Sequence, residues 1–480
     1  MIFRKNFILV SIYMLLLIGI SIWSFNLPLD SYLALKWLGG ICLIELVAFL
    51  IFNTKLNKKF LNYGTIFILV LFLFNFGQLQ INTFFSSIYP HVRFLLLLTP
   101  ESALYGFQWI NLSFNIICLG ICLTSSIACK VTLRDKKYEH IDYARLAKII
   151  IIITFPIKFF IDIACVYISL TAGGVAARTW LNEFPNVLVV LGKISLIGFA
   201  LLIVQMKKQP LKQLRLFVFI EFYILVMMLS GIRSENVGYV LVFMLVYLRS
   251  RQKKGKVFGY IFYCIILIPV LAFVIAVGEF RTVADKSMDS FLKIFNQALT
   301  EKNVILSLFD TCGDTGYTAL CVITKWLPKY SPSYGSSYVG GMFAIVPNIL
   351  SYFTLPGDIT RETCFALKLQ EYGTLSSSYT NIGGSLIGEL FFNFGLFGGV
   401  VFSLIIGLFI GRINKRFLLG IEGRFYELVW TIPFMFASIY WVRSYFGGGV
   451  REAIWGYLFV YFILKYSAEK RGKYAYKKNS

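Results

Sequence analysis

The chain has 480 residues, of which 58% are hydrophobic, 17% aromatic and only 15% charged. Soluble globular chains carry about 25% charged and about 45–50% apolar residues. This composition therefore excludes a soluble enzyme, a disordered protein and a disulfide-rich secreted module. The net charge of +22 fits a polytopic membrane chain, in which basic residues beside the spans set orientation, and needs no nucleic-acid partner.

A spanning helix needs about 20 apolar residues. Apolar runs lie near 7–25, 33–53, 63–80, 104–127, 148–170, 187–206, 216–232, 236–249, 257–278, 384–411, 426–441 and 450–466. They predict an all-α, polytopic helical bundle of about twelve spans. The first run follows Arg4 and Lys5. No small-residue cleavage site ends it, so it reads as a span rather than a signal peptide. With the N-terminus inside, every inner segment is basic. Lys55, Lys58 and Lys59 lie in one, Lys207, Lys208, Lys212 and Arg215 in another, and Arg249 to Lys256 in a third. Both termini are then cytoplasmic. The chain divides into a bundle at 1–278 (about nine spans), a large extracytoplasmic loop at 279–383, a bundle at 384–466 (about three spans) and a basic cytoplasmic tail at 467–480.

Within the loop, Phe291, Leu292, Ile294, Phe295, Ala298 and Leu299 recur at helical spacing. They predict an amphipathic helix, lying on the outer bilayer surface or packed on the bundle. No internal repeat is visible. Cys42, Cys118, Cys122, Cys165 and Cys264 sit in apolar runs and read as small hydrophobes. Cys312, Cys321 and Cys364 share the loop, where one disulfide would leave a free thiol.

Two histidines, His91 and His140, are the whole imidazole inventory. No zinc, P-loop or nucleophile-elbow motif is present. Neither a metal nor a cofactor is expected, with Asp310 and Asp314 only a weak cation pair. Chemistry on the outer side would fall to carboxylates, Arg, Tyr or Lys. Several ionisable residues lie inside apolar runs: Lys36, Glu45, Lys158, Asp162, Lys193, Glu221 and Glu389. Such groups face a bundle interior. Lys158 and Asp162, spaced i,i+4, predict a neutralising pair, with a proton relay as the alternative.

Seven arginines go against the outer-side trend: Arg93, Arg178, Arg233, Arg281, Arg361, Arg443 and Arg451. Arg233, Arg281, Arg443 and Arg451 stand at span ends. A guanidinium fork suits a pyrophosphate; snorkelling to lipid phosphates is the bland alternative. In the stretch 383–395, Glu389 and Asn393 are spaced i,i+4 and project together from the outer half of a span. Glu389 reads as a general base, or as a helix-packing residue bonded to Arg233 or Arg281.

These residues resemble the Wzy-type family of O-antigen and capsule repeat-unit polymerases. The resemblance rests on Ser230-Gly231-Ile232-Arg233, on Phe280-Arg281, on Tyr334-Gly335-Ser336-Ser337-Tyr338 followed by Ile345-Val346-Pro347-Asn348, and on Gly384-Ser385-Leu386-Ile387-Gly388-Glu389 leading to Asn393-Phe394-Gly395. It covers 216–411 best. It implies a membrane glycosyltransferase of the bacterial cytoplasmic membrane, active on the extracytoplasmic face. Its substrates would be undecaprenyl-pyrophosphate-linked oligosaccharides, joined into O-antigen, capsule or exopolysaccharide. A chain-length regulator and a flippase of the same pathway would be its partners, and no cofactor is implied. Arg233, Arg281 and Arg443 would hold the donor pyrophosphate, and Glu389 would take the acceptor proton. Arg361, Arg451, Tyr334, Tyr338 and Asn393 would bind substrate. Two alternatives are an O-antigen ligase and a flippase. A ligase is expected to carry a His in the long loop, which has none. A flippase is expected to show two related halves.

Overall fold

Apolar segments in hydrocarbon must satisfy their own backbone hydrogen bonds, and a helix does so within one segment. Every regular element among the described residues is accordingly helical. The computed structural model describes residues 2–26, 30–87, 92–126, 141–230, 233–251, 272–280, 283, 288–300, 303–343, 345, 365–372 and 384–478. The helices are α1 (Ile2–Trp23), α2 (Ser31–Asn57), α3 (Tyr63–Phe84), α4 (Arg93–Leu97), α5 (Pro100–Ser126), α6 (Tyr143–Ala172), α7 (Gly174–Glu183), α8 (Asn186–Gln205), α9 (Pro210–Met227), α10 (Arg233–Arg251), α11 (Met288–Thr300), α12 (Val304–Cys321), α13 (Ser336–Phe343), α14 (Phe365–Glu371), α15 (Leu386–Ile421), α16 (Tyr426–Arg443) and α17 (Phe446–Lys478). Asp30, Asn62 and Asp142 start α2, α3 and α6 by accepting from the backbone N–H of Tyr32, Thr65 and Arg145.

Seven described helices are long and apolar enough to cross a membrane: Ser31–Asn57, Tyr63–Phe84, Pro100–Ser126, Tyr143–Ala172, Asn186–Lys208, Pro210–Ser230 and Leu386–Ile421. A shorter apolar helix runs over Val10–Asn26. Helices also cover the runs expected at 236–249, 426–441 and 450–466, but these carry more charged, Gly, Tyr and Trp residues and fall outside the seven. Most of the run at 257–278 lies outside the described residues.

The chain divides into two compact units. The first comprises 1–129, 308–415 and 437–451. Its centre is α3, with 89% of its apolar stretch buried. Aromatic contacts between Phe72, Phe76, Phe107 and Phe114 join α3 to α5. The second comprises 130–307, 416–436 and 452–480, in which α6 packs along α8.

Where described, the segment expected as one large outer loop is helical. From residue 308 onward it groups with the first unit. The join is made by glycines. A Cβ on Gly77 would lie 2.4 Å from the Phe309 carbonyl oxygen, and one on Gly313 would lie 2.3 Å from the Gln78 nitrogen. One on Gly316 would lie 2.4 Å from the Asn75 oxygen. Backbone therefore meets backbone between α3 and α12, the close approach that small residues permit in membrane bundles. In the second unit, α11 is the amphipathic helix that its spacing predicts. Phe291 packs against Phe273 and Phe280 of the helical stretch at 272–280, while Leu292 and Leu299 stay exposed. Cys312 and Cys321 are free thiols; Cys364 lies outside the described residues.

Candidate active site

One end of the first unit, where α3 and α16 finish and α5, α15 and α17 begin, carries a group of polar and charged side chains. Two clusters meet there. In the first, Glu389 sits in the opening turn of α15 and is wholly buried. Ser337 Oγ donates to its Oε1 at 2.7 Å. Trp441 Nε1 and the Phe446 backbone N–H donate to its Oε2 at 2.7 and 2.8 Å. Asn393, one turn on, donates to Ser337 Oγ at 2.7 Å and accepts from the Ser337 N–H at 3.2 Å. The i,i+4 pair thus acts together, as its spacing predicts. The partners of Glu389 are neutral donors, with no arginine among those described. Of the two arginines expected beside it, Arg281 and the side chain of Arg233 lie outside the described residues.

Immediately after Asn393 the helix breaks. Gly395 has φ 67° and ψ −173°, a non-helical conformation inside α15. Side chains rarely adopt it, so a short half-helix carrying Glu389 and Asn393 is set off from the long remainder. Tyr334 also has a positive φ, 47°, and starts the turn into α13; it is 81% exposed. Tyr338 packs its ring against Phe394, Trp441 and Phe446. The Tyr338 hydroxyl and Ser336 Oγ are buried with no hydrogen-bond partner among the described residues.

The second cluster lies on the facing helices. Arg93 Nη1, at the start of α4, meets Asp314 Oδ2 of α12 at 2.6 Å. Gln78 Nε2 of α3 donates to Asp314 Oδ1 at 2.6 Å and to Asp310 Oδ1 at 3.3 Å. The Arg443 guanidinium lies over the Phe74 ring, 5.8 Å from its centroid, and acts electrostatically on Asp314. Burial pushes the Asp314 carboxyl up to about 6, with Arg93 pulling the other way and Asp310 adding to the rise. Its side chain is still 33% exposed, and that of Arg93 36%. The two clusters share supports: Ser385, one turn before Glu389, donates to Asn75 Oδ1, close before Gln78 on α3.

The structure therefore brings together Glu389, Asn393, Tyr338 and Arg443 of the residues expected from sequence. Arg451 is half-buried in the second turn of α17. Arg361 lies outside the described residues, as does the side chain of Arg178. Arg93, Gln78, Asp314, Ser337 and Trp441 belong to the site but were not singled out as such. The sequence marks Arg93 by the outer-side arginine count, Asp314 by its spacing from Asp310 and Ser337 by its place in the Tyr334–Tyr338 stretch, and gives no signal for Gln78 or Trp441. No group of three or more metal-ligating side chains occurs among the described residues.

The second unit has its own charged interior. Lys158 and Asp162 pair at 2.8 Å, the neutralisation that their spacing predicts. Lys193 is held between Glu235 and Glu452, and Tyr239 donates to Glu235. Lys158, Asp162, Lys193, Glu235 and Tyr239 line a pocket in this unit.

Among the described residues every regular element is helical and seven helices are long and apolar enough to cross a membrane, the architecture of a multi-pass membrane protein. The sequence model described as O-antigen polysaccharide polymerase Wzy matches residues 6–471, and the chain belongs to that family. No curated protein and no solved structure matches the chain. Membership over nearly the whole length makes it a polymerase of polysaccharide repeat units.

Proposed function

We infer that the end of the first unit carrying Arg93, Asp314, Arg443 and Glu389 is the polymerising site, and that it faces the outside of the bacterial cytoplasmic membrane. The carrying observation is the pair of guanidiniums, Arg93 and Arg443, around Asp314 at this end. The reaction is transfer of a growing glycan from an undecaprenyl-pyrophosphate carrier to a hydroxyl of the next lipid-linked repeat unit. The pyrophosphate linkage supplies the driving force. Arg93 and Arg443 bind the donor pyrophosphate by their planar forks and stabilise charge gathering on the leaving group. Arg361 and Arg451, of the same unit, add to this binding, and the family resemblance separately implies a donor-binding role for Arg233 and Arg281 of the second unit. Tyr334 offers its exposed ring to a sugar face, and Tyr338, packed against Phe394, Trp441 and Phe446, backs the turn that carries it. Glu389 and Asn393 fix Ser337 and Trp441, and so hold the walls of the site. A carboxylate at this end takes the proton of the acceptor hydroxyl.

The test is a host lacking this gene, complemented with Arg93→Ala, Arg443→Ala, Arg233→Ala or Arg281→Ala. Each variant should be present in the membrane while polymer is lost and single lipid-linked repeat units accumulate. Lysine at Arg93 or Arg443 should restore little, because a point charge lacks the bidentate fork. Normal polymer from both Arg93→Ala and Arg443→Ala would remove this end as the polymerising site.

A further inference from the structure

We propose that Asp314, rather than Glu389, is the general base of polymerisation, and that Arg93 holds it inactive until the donor pyrophosphate draws the guanidinium away. The inference rests on the polymerase reading above.

A general base must reach the proton it removes. Glu389 is 0% exposed, and both of its oxygens are filled by donors from Ser337, Trp441 and Phe446. An acceptor hydroxyl has no open oxygen to approach. Asp314 is 33% exposed. Its charged and polar neighbours are Arg93 from α4, Gln78 from α3, Asp310 from its own helix and Arg443 from α16. Among the described residues, Arg93 engages Oδ2 directly. A pyrophosphate entering between the guanidiniums competes for Arg93 and leaves Oδ2 open toward the reacting centre. The same anion beside Asp314 strengthens it as a base, since like charge disfavours ionisation. Burial already moves this carboxyl toward neutral pH, where a base combines the right protonation state with driving force.

In the step, the acceptor hydroxyl oxygen bonds to the anomeric carbon of the donor sugar. The bond from that carbon to the pyrophosphate oxygen breaks, and its electron pair leaves on the pyrophosphate. The hydroxyl proton passes to Asp314 and then to water. Lengthened glycan, free lipid pyrophosphate and one proton are the products.

The experiment uses the full chain, purified in lipid nanodiscs, and lipid-linked repeat units extracted from a host deleted for this gene. Initial rates are measured from pH 4.5 to 8.5. The wild-type rate should rise through about pH 6, and its midpoint in kcat should lie above that in kcat/KM, because the donor is bound in the first and absent from the second. Asp314→Asn should be slower by about 10²–10⁴-fold and lose the rise. Glu389→Gln should keep it. Asp314→Ala, which opens the space, should recover activity with added formate. An Asp314→Asn enzyme within about tenfold of wild type, or one with an unchanged pH rise, overturns the proposal. So does loss of the rise in Glu389→Gln alone. If wild-type protein makes no polymer from these units, the polymerising reading itself fails.

Discussion

A carboxylate buried without a cation persists only when its lone pairs are filled. Glu389 meets that condition through three donors. Two of its supports are helix N-termini, its own first turn in α15 and the Phe446 N–H opening α17, whose dipoles favour an anion. Glu389→Ala would strand Ser337, Trp441 and Phe446, at about 1–3 kcal/mol for each unsatisfied group. It should therefore melt well below wild type in detergent. Glu389→Gln can turn its oxygen to Trp441 and Phe446 and its amide to Ser337. It should melt near wild type, with kcat within about tenfold. Asp314 behaves oppositely. Its folded carboxyl is raised from 3.8 to about 6, so between these values the folded state holds more protons than the unfolded state. The contribution of this group to stability therefore falls as pH rises through that window. Asp314→Asn should raise the melting temperature at pH 8 and do so less at pH 4. An equal shift at both values would contradict this.

The helices most readable from sequence were those with long apolar runs and clean caps, α2, α3, α5 and α6. The outer-loop segment was read differently, for a physical reason. Val304–Cys321 contains Asp310, Asp314 and two glycines, so it looks like solvated chain. Those same glycines let α12 lie backbone to backbone on α3, a contact that local pattern cannot reveal. Gly313→Ala puts a methyl 2.3 Å from the Gln78 nitrogen and should cost about 1–3 kcal/mol, as overpacking does. Gly40→Ala meets nothing within 4 Å and should be neutral or slightly stabilising. Thermal melting of the two side by side checks the contrast. Gly395→Ala forces an alanine to φ 67° and ψ −173°, a region essentially confined to glycine, and should straighten or destabilise α15, at about 1–3 kcal/mol. Part of the site was equally readable. Glu389 and Asn393 share one helix face, so spacing alone joined them. Ser337, Trp441, Gln78 and Arg93 come from four other places in the chain, and only folding brings them in.

At the scale of the molecule, the distribution of its 46 basic residues gives a topology that can be tested directly. A cysteine introduced at Lys329 should react with an impermeant maleimide added from outside, and one at Lys254 should not. The reverse pattern would place the polymerising end in the cytoplasm, away from the proposed outer face. The interlocked glycines of α3 and α12 reach further. Each helix is a mould for the other, because Gly77 answers Phe309, Gly313 answers Gln78 and Gly316 answers Asn75. Recombination between relatives would succeed only where both halves of such a mould travel together. A chimaera that exchanges 304–321 alone would bring foreign side chains onto an unmatched surface, whereas one that carries 63–84 with it keeps the fit. Asp314 and Gln78 would move as a set in that exchange. Inheritance of the base and of its hydrogen-bond partner is thereby tied to a packing constraint rather than to the chemistry alone.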